Sequence, residues 1–288
     1  MTTRGPNRCW SPARMPPRRD LAELTYVEVA SLDKEGGLVV LPLGSTEQHG
    51  PHLPLATDAL LADRLLDAAL ALLPEQVRVW RLPTLPYGKS NEHTGFAGTL
   101  TLSHQTLAGV LHDVARGVAE AGFTRLALFS GHGGNTPTLD VVARDVRANT
   151  GLLCFVIDPG IQFSAVTGLS ERERDLGYHA GQVETSLMLA LAPELVRMER
   201  AVAEFPPASP SRIGLAGPAR KAWLTSDVSK SGVLGDATIA DAAQGERMLN
   251  EIARAIAAVL VAMAEEPAGT SKTAPTPAHA PAPGAGSR

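Results

Sequence analysis

Short apolar runs alternate along this chain with longer Ala/Leu-rich segments of helical period, and this alternation constrains the fold more than any other feature. The predicted strands are 37–43, 77–85, 125–130 and 152–157. The predicted helices are 59–73, 105–121, 137–148, 182–192 and 239–264. Strands that alternate with helices form parallel sheets, because each helical crossover returns the chain to the same edge and covers a face of the sheet. We therefore predict an α/β fold whose mostly parallel central sheet is covered by helices on both faces.

The composition is that of one folded domain with two low-complexity ends. The chain has 288 residues, 44% of them hydrophobic, and a mean hydropathy of +0.01, so it can bury a sizeable core. We predict a folded domain at 20–266, a disordered Pro/Arg-rich leader at 1–19 and a disordered Pro/Ala-rich tail at 267–288. Neither end has enough apolar residues to offset the entropic cost of ordering.

Charge and cysteine content argue against several classes of partner. The net charge is −4 and the pI is about 6.1, which predicts no nucleic-acid or membrane partner. No run approaches eighteen consecutive apolar residues, and the leader lacks the apolar core of a secretory signal. The chain has two cysteines, which do not suggest a disulfide framework. The predicted location is the cytoplasm.

Metal-capable side chains follow the first predicted strand directly. Glu47 and His49 lie in the segment Gly44–His52, and Asp58 stands just before the first predicted helix, whose N-terminus it can cap. Open α/β sheets bind their ligands at the carboxyl ends of the strands. Two carboxylates and an imidazole suit a divalent cation, and a carboxylate that bridges makes a two-metal site feasible. These residues indicate a metal-dependent hydrolase.

Three further polar clusters follow predicted strands or open predicted helices. They are Ser130–Asn135 with His132, Tyr178–Ser186 with His179 and Glu184, and Gly88–Thr99 with Glu92 and His93. Each has an ordinary alternative, because a lone histidine is more often a loop residue and an acid such as Glu184 is favoured by the helix dipole in any first turn. Glu92 and His93 can likewise form a simple polar turn. Their coincidence favours a site, since the carboxyl ends of parallel strands meet at one edge of the sheet.

The motifs together resemble those of the creatininase family of metal-dependent amidohydrolases. They are Glu47-x-His49-Gly50, Asp58, Gly131-His132-Gly133-Gly134-Asn135 and His179-Ala180-Gly181-x-x-Glu184-Thr185-Ser186. The resemblance covers roughly residues 20–265, in the family's order and spacing. It implies a three-layer α/β/α fold, two divalent metal ions per chain (Zn, Mn or Fe) and a ring-like homo-oligomer, with a hexamer as the expected size.

The resemblance also implies a ligand set. Glu47, Asp58 and His132 hold one ion, while His49 and the bridging Asp58 hold the other. Creatininase itself supplies one more carboxylate two residues after the histidine that matches His132, at the position of Gly134 here. Glu184 is predicted to replace that ligand, with a role as catalytic base as its alternative.

Catalytic and substrate-binding roles follow from the same resemblance. His179 is predicted to be the general acid that protonates the leaving nitrogen when a metal-activated water cleaves an amide C–N bond. The predicted substrate pocket is formed by Glu92, His93, Gly133 and Asn135.

Departures from creatininase itself bear on the substrate. Creatininase has an aromatic residue at the position of Gly133 and a tryptophan at that of Asp175, so the pocket that cradles creatine is not reproduced. The predicted substrate is another small-molecule amide (a cyclic amide or formamide) or a short peptide.

Two alternatives remain open at this stage. One family branch removes a C-terminal dipeptide from the mycofactocin precursor peptide, and the segments Ser45–Leu55, 92–99 and Gly232–Asp236 resemble it, although Gln182 departs from it. The other alternative, from a different class, is a non-catalytic metal-stabilised scaffold or binding protein. The presence of every predicted ligand argues against this second reading.

Overall fold

The computed structural model describes residues 19–208 and 213–267. The leader and tail predicted to be disordered lie outside the described residues, apart from Arg19 and Pro267 at their inner ends. Within the described ranges, no helix combines the length and the apolar character needed to span a membrane.

The central sheet is wholly parallel. Its strands are β1 (Leu38–Leu43), β2 (Val79–Arg81), β3 (Arg125–Ser130) and β4 (Leu153–Ile157). They lie side by side in the order β2-β1-β3-β4, and Leu38 pairs with Val79 on one side and with Arg125 on the other. A separate antiparallel pair is formed by β5 (Ala203–Glu204) and β6 (Gly235–Asp236). The carboxyl ends of β1 and β3 are therefore neighbours.

Helices cover both faces of the sheet. In the described residues the α-helices are α1 (Tyr26–Ser31), α2 (Thr57–Ala71), α3 (His104–Glu120), α4 (Thr136–Thr150), α5 (Gly160–Ala165), α6 (Glu171–Leu176), α7 (Gln182–Leu191), α8 (Thr225–Val228) and α9 (Ala242–Glu265). Leu38 and Val40 of β1 pack into the apolar core beneath α2, α7 and α9. Val39 and Leu41 point to the opposite core, beneath α3 and α4. Alternate residues of one strand thus serve two cores, and the prediction of a three-layer α/β/α fold is confirmed.

The predicted elements all occur, and the largest difference is in the second strand. We predicted a strand at 77–85, but β2 spans only Val79–Arg81. Pro83 has no N–H to donate to a ladder, so regular pairing stops there. Leu85 then returns to the sheet as an isolated bridge to Leu43.

Asp58 does not cap its helix as the sequence suggested. The helix α2 begins at Thr57, and its N-cap residue, Ala56, makes no side-chain capping bond. Asp58 therefore lies in the first turn, with its side chain buried at the sheet edge. Close approach makes this possible, because a Cβ atom on Gly44 would lie 2.4 Å from Ala59 and one on Gly131 would lie 2.6 Å from the Asp58 carbonyl oxygen. Glycine at both strand ends thus lets β1 and β3 reach the start of α2.

The packing of α9 on α7 depends on one glycine, which provides a test of the fold. A Cβ atom on Gly245 would lie 1.8 Å from the Ser186 carbonyl oxygen of α7. We expect Gly245→Ala to lower the free energy of unfolding by about 1–3 kcal/mol, because the two helices must move apart. Thermal and urea unfolding of the purified protein measure the change.

Gly109 supplies the matched control for this substitution. It is an exposed glycine inside α3, and no described heavy atom lies within 4 Å of its added Cβ. Gly109→Ala should raise stability by up to about 1 kcal/mol through helix propensity alone. If both variants shifted stability in the same direction, the close contact between α7 and α9 would be wrong.

Candidate metal centre

Seven buried side chains with metal-capable atoms meet at the carboxyl edge of the sheet. They are Glu47 and His49 after β1, Asp58 in the first turn of α2, His93 in the loop after β2, His132 after β3, His179 before α7, and Glu184 in the first turn of α7. Their donor atoms form overlapping groups, each within 4.8 Å: Glu47 with Asp58 and His132, His49 with His179 and Glu184, and Glu47 with His93 and His179. The sequence-predicted ligands are thus brought together.

In the group of Glu47, Asp58 and His132, hydrogen-bond acceptor atoms face one another without a described donor between them. His132 Nε2 donates to the Lys89 carbonyl oxygen at 3.0 Å, which leaves Nδ1 as the lone-pair atom of the neutral ring. That Nδ1 atom lies 3.2 Å from Glu47 Oε1 and 3.2 Å from Asp58 Oδ2. Both Glu47 oxygens and Asp58 Oδ2 are buried without a hydrogen-bond partner among the described residues. Buried acceptors that face one another in this way fit a cation between them.

His49 and Asp58 continue the same arrangement into the second group. His49 Nδ1 donates to the Glu47 carbonyl oxygen at 3.2 Å, and its Nε2 lies 3.0 Å from Asp58 Oδ1. One Asp58 oxygen thus faces His49 and the other faces His132. This is the placement that a bridging carboxylate requires.

His179 lies in the turn before α7, and Glu184 lies in the first turn of that helix. His179 Nε2 donates to the Gln48 carbonyl oxygen at 2.8 Å, so Nδ1 is the ring atom directed at the carboxylates, 3.8 Å from Glu47 Oε1. Glu184 Oε2 accepts the Ala180 N–H at 2.5 Å. Ala180 has φ +52°, a left-handed conformation that is costly for a residue with a Cβ. The tight turn keeps imidazole and carboxylate on the same side of the backbone.

His93 supports Glu47 through a fixed tautomer. The Gly50 N–H donates to Gln48 Oε1 at 2.9 Å, which sets the orientation of the Gln48 amide. Gln48 Nε2 therefore donates to His93 Nδ1 at 2.8 Å, and the ring proton of the neutral His93 is on Nε2. This Nε2 lies 3.1 Å from Glu47 Oε1 but is not aligned for a hydrogen bond, so the oxygen stays without a hydrogen-bond partner among residues 19–208 and 213–267. His93 was predicted for the substrate pocket, and it both lines the cavity and orients a predicted ligand.

Gly134 marks the main departure from creatininase itself. A Cβ atom at this position would lie 1.9 Å from Glu92 Oε1, 2.4 Å from His132 Nε2 and 2.5 Å from the Lys89 carbonyl oxygen. Glu92 Oε1 also lies 3.3 Å from His132 Nε2. The space for a side chain at 134 is therefore filled, and Glu92 contacts the far side of the His132 ring. Glu184, not position 134, brings the additional carboxylate to the cluster.

Asn135 corrects one pocket prediction. Its side chain is fully buried, where Oδ1 accepts the Lys89 N–H at 2.8 Å and Nδ2 donates to the Gly44 carbonyl oxygen at 3.1 Å. It does not line the cavity in the described structure. A buried amide needs such partners, and here it ties the 88–93 loop to the ends of β1 and β3.

The charges of the cluster are balanced by protons when no metal is bound. Burial opposes the charged form of His49, but Asp58, Glu184 and Glu47 outweigh it and raise the pKa of His49 to about 9. Against the same burial, Glu47 and Asp58 hold the pKa of His132 well above its usual range. Burial and the neighbouring His93 and His49 lower the pKa of His179 well below its usual range. Burial also raises the pKa of Glu184 to about 7.

The cluster opens into a cavity of about 480 Å³. Glu92, Gly133 and His179 lie on its metal-binding side, while Phe163, Tyr178 and Trp223 supply aromatic surface. A Cβ atom on Gly133 would have no described atom within 4 Å, so this wall is open. Trp223 lies just before α8, in a part of the chain for which the sequence analysis predicted no site residue.

Two supporting residues were missed by sequence reasoning. Gln48 stands between the predicted ligands Glu47 and His49, but its partner His93 is 45 residues away. Glu173 sits in a charged run typical of a solvated helix face, yet its buried carboxylate accepts the Gln182 N–H at 2.7 Å and the Asp236 N–H at 3.0 Å. It thereby joins the start of α7 to β6. No local signal in the sequence distinguishes either residue.

The fold and cluster agree with a comparison of the whole chain. A family model described as Creatininase: Creatinine amidohydrolase matches residues 22–260. The chain belongs to the creatininase family. It is thus a member of a family of metal-dependent amidohydrolases, and the resemblance seen in the motifs is confirmed.

Two of the relatives that match this chain carry different names. The mycofactocin precursor peptide peptidase of Mycobacterium tuberculosis is 33% identical over 244 residues, covering 79% of this chain and 86% of the relative. The creatinine amidohydrolase of Pseudomonas putida is 33% identical over 261 residues, covering 82% and 94%.

Solved structures confirm the fold. A putative creatinine amidohydrolase from Bacteroides fragilis has a TM-score of 0.71 at 26% identity, with 86% of this chain and 97% of that chain covered. A manganese creatininase has a TM-score of 0.67 at 27% identity, with coverage of 85% and 98%.

Metal binding should release protons, because ligand histidines must be neutral. At pH 7 both His49 and His132 are protonated in the metal-free protein, given their raised pKa values. We expect addition of Zn²⁺ or Mn²⁺ to release about two to three protons per chain, two from these histidines and a further fraction from Glu184, whose raised pKa of about 7 leaves it partly protonated. Since each histidine keeps its proton below its folded pKa, metal affinity should fall as the pH is lowered from about 9.

Calorimetric titration in buffers of different ionisation enthalpy counts these protons. His112→Asn, at a half-exposed histidine on α3, is the control and should leave the count unchanged. A binding enthalpy that is the same in every buffer would contradict the protonated cluster.

Proposed function

We propose that this chain is a binuclear metal-dependent amidohydrolase that cleaves an amide C–N bond in a substrate other than creatinine, with a short peptide as the favoured class. The observation that carries the proposal is the set of buried carboxylate oxygens without hydrogen-bond partners in the described structure, facing the lone pairs of neighbouring imidazoles. Such a set is costly unless cations occupy it.

The two ions would share Asp58. Glu47, Asp58 and His132 would hold the first ion, and His49, Asp58 and Glu184 the second. Imidazole and carboxylate donors without thiolate suit Zn, Mn or Fe. When bound, such ions lower the pKa of a coordinated water and polarise the amide carbonyl.

The protein's own residues would position these groups and handle the proton. Gln48 fixes His93 against Glu47, and the Lys89 carbonyl fixes the His132 ring. His179 is our candidate for carrying a proton to the leaving nitrogen. Because its Nε2 proton is held by the Gln48 carbonyl, the transfer would run through Nδ1, which must first receive the proton.

The cavity argues against creatinine. The position of the aromatic residue found in creatininase is Gly133, beside which the cavity is open. The tryptophan position is Asp175, an exposed residue of α6 outside the residues that line this cavity. A small ring would therefore lack the walls that orient it.

The size of the cavity and the names of the related proteins favour a peptide substrate. The cavity of about 480 Å³ shares wall residues with a second recess of about 520 Å³, and the two together offer room for a substrate larger than a single small ring. Mycofactocin precursor peptide peptidases from three mycobacterial species are among the relatives at about 33% identity. The corresponding precursor peptide is thus a natural first substrate to test. Cytoplasmic location and assembly into a hexamer stay predictions.

Metal content and hydrolysis test the proposal directly. We expect close to two divalent ions per chain after reconstitution, measured by elemental analysis. The loaded enzyme should hydrolyse at least one amide in a screen of short peptides, formamides and cyclic amides. Asp58→Ala should lose both metal content and activity, because one carboxylate serves both ions.

Asp140→Ala is the control, since Asp140 is an exposed aspartate on α4, and it should keep two ions and full activity. At most one ion per chain in the wild type would overturn the binuclear model. Two ions with no hydrolysis across the screen would instead favour a metal-stabilised binding protein.

Substitutions at 179 and 184 separate proton carrier from ligand. If His179 carries the proton, His179→Asn should keep both ions and lose about 10²–10⁴-fold in kcat. The loss should shrink for amides with better leaving groups, which need the proton less. If Glu184 is a ligand, Glu184→Gln should lower metal occupancy, and added metal should restore part of the rate. The opposite pattern would exchange the two roles.

A further inference from the structure

A second recess of about 520 Å³ adjoins the metal-centre cavity. The two share part of their walls, namely Glu92, Gly133, Gly134, Leu215 and Trp223. Since Glu92 contacts the His132 ring, the recess begins directly behind a predicted metal ligand. A substrate whose amide lies at the metal centre can therefore extend into it.

The recess is strongly positive. Lys89, Arg220 and Lys221 line it, and none of these three forms an ion pair with a carboxylate in the described part of the chain. Glu92 is the one acid on its described wall, and that carboxylate is already directed at His132 Nε2 at 3.3 Å. Three cations beside one engaged carboxylate leave a net positive charge that a ligand can neutralise.

A helix N-terminus adds to this field. Pro137 and Thr138, in the first turn of the 15-residue helix α4, line the same recess. No side chain caps the start of α4. The positive end of its dipole adds to the side-chain cations, although Asp158 already accepts a hydrogen bond from the Thr136 hydroxyl at this end of α4.

We propose that this recess binds a carboxylate of the substrate, such as the C-terminal carboxylate of a peptide, while the scissile amide lies at the metal centre. The inference rests on the proposed amidohydrolase function and narrows its substrate class. A carboxylate fits because every peptide carries one at its end, whereas the phosphates of a nucleic acid do not suit a chain of net charge −4. Arg220 and Lys221 are the residues that set this specificity.

Binding of a matched pair of probes tests the proposal, with any hydrolysis of the probes followed by chromatography in the same samples. The probes are N-acetyl-glycyl-phenylalanine and its C-terminal carboxamide, titrated calorimetrically into the full-length, metal-loaded protein. We expect the acid to bind about five- to tenfold more tightly than the amide at low salt, and the preference to weaken as salt is added. In Arg220→Gln/Lys221→Gln, with unchanged metal content, the two probes should bind equally.

Lys230→Gln is the control. Lys230 is an exposed lysine nine residues after Lys221, and it lies outside the recess. This variant should keep the preference for the acid. Equal binding of acid and amide by the wild type, no measurable binding of either, or a preference that survives in the double variant would each overturn the carboxylate site.

Metal content and the hydrolysis screen, measured on the same preparations, keep this inference distinct from the proposed function. If the wild type preferred the acid but cleaved no amide, the carboxylate site would be supported and the proposed amidohydrolase function would be wrong. If the wild type cleaved amides but bound acid and carboxamide equally, the amidohydrolase function would be supported and the carboxylate site would be wrong.

Discussion

The structure depends on the mutual approach of two buried carboxylates, Glu47 and Asp58, at the floor of the cavity. Two buried carboxylates so close repel each other, and protons on His49 and His132 or bound cations must offset that repulsion. The whole carboxyl edge of the sheet serves this requirement. Glycines at the ends of β1 and β3 let these strands approach α2, and the strained turn at Ala180 brings α7 toward the same point.

A second layer of backbone acceptors fixes which nitrogen of each ring faces the carboxylates. The backbone carbonyl oxygens of Glu47, Lys89 and Gln48 each accept one hydrogen bond, from the ring N–H groups of His49, His132 and His179 in turn. Main-chain carbonyls cannot be altered by substitution of their own side chains, so the orientation of the rings is a property of the fold. Second-layer partners of this kind set both the tautomer and the basicity of a metal-binding histidine.

The sequence predicted the layers and the cluster because both follow from local signals. β3 spans Arg125–Ser130 as predicted. A short apolar run between two amphipathic helical segments predicts a buried strand. The second strand was predicted too long because its apolar pattern continues past Pro83. The partners of Gln48, Asn135 and Glu173 were unpredictable for another reason. Each bond joins parts of the chain that only the tertiary fold brings together, and the residue type alone does not name its partner.

The sealed position at Gly134 constrains how members of this family can diverge. A carboxylate cannot be introduced there by one substitution, because the Lys89 carbonyl and the His132 ring occupy the space as well as Glu92. The backbone of the 88–93 loop would have to withdraw in the same step. A change from glycine to a carboxylate at position 134 is therefore epistatic with the 88–93 loop, because the loop must move when the side chain is added.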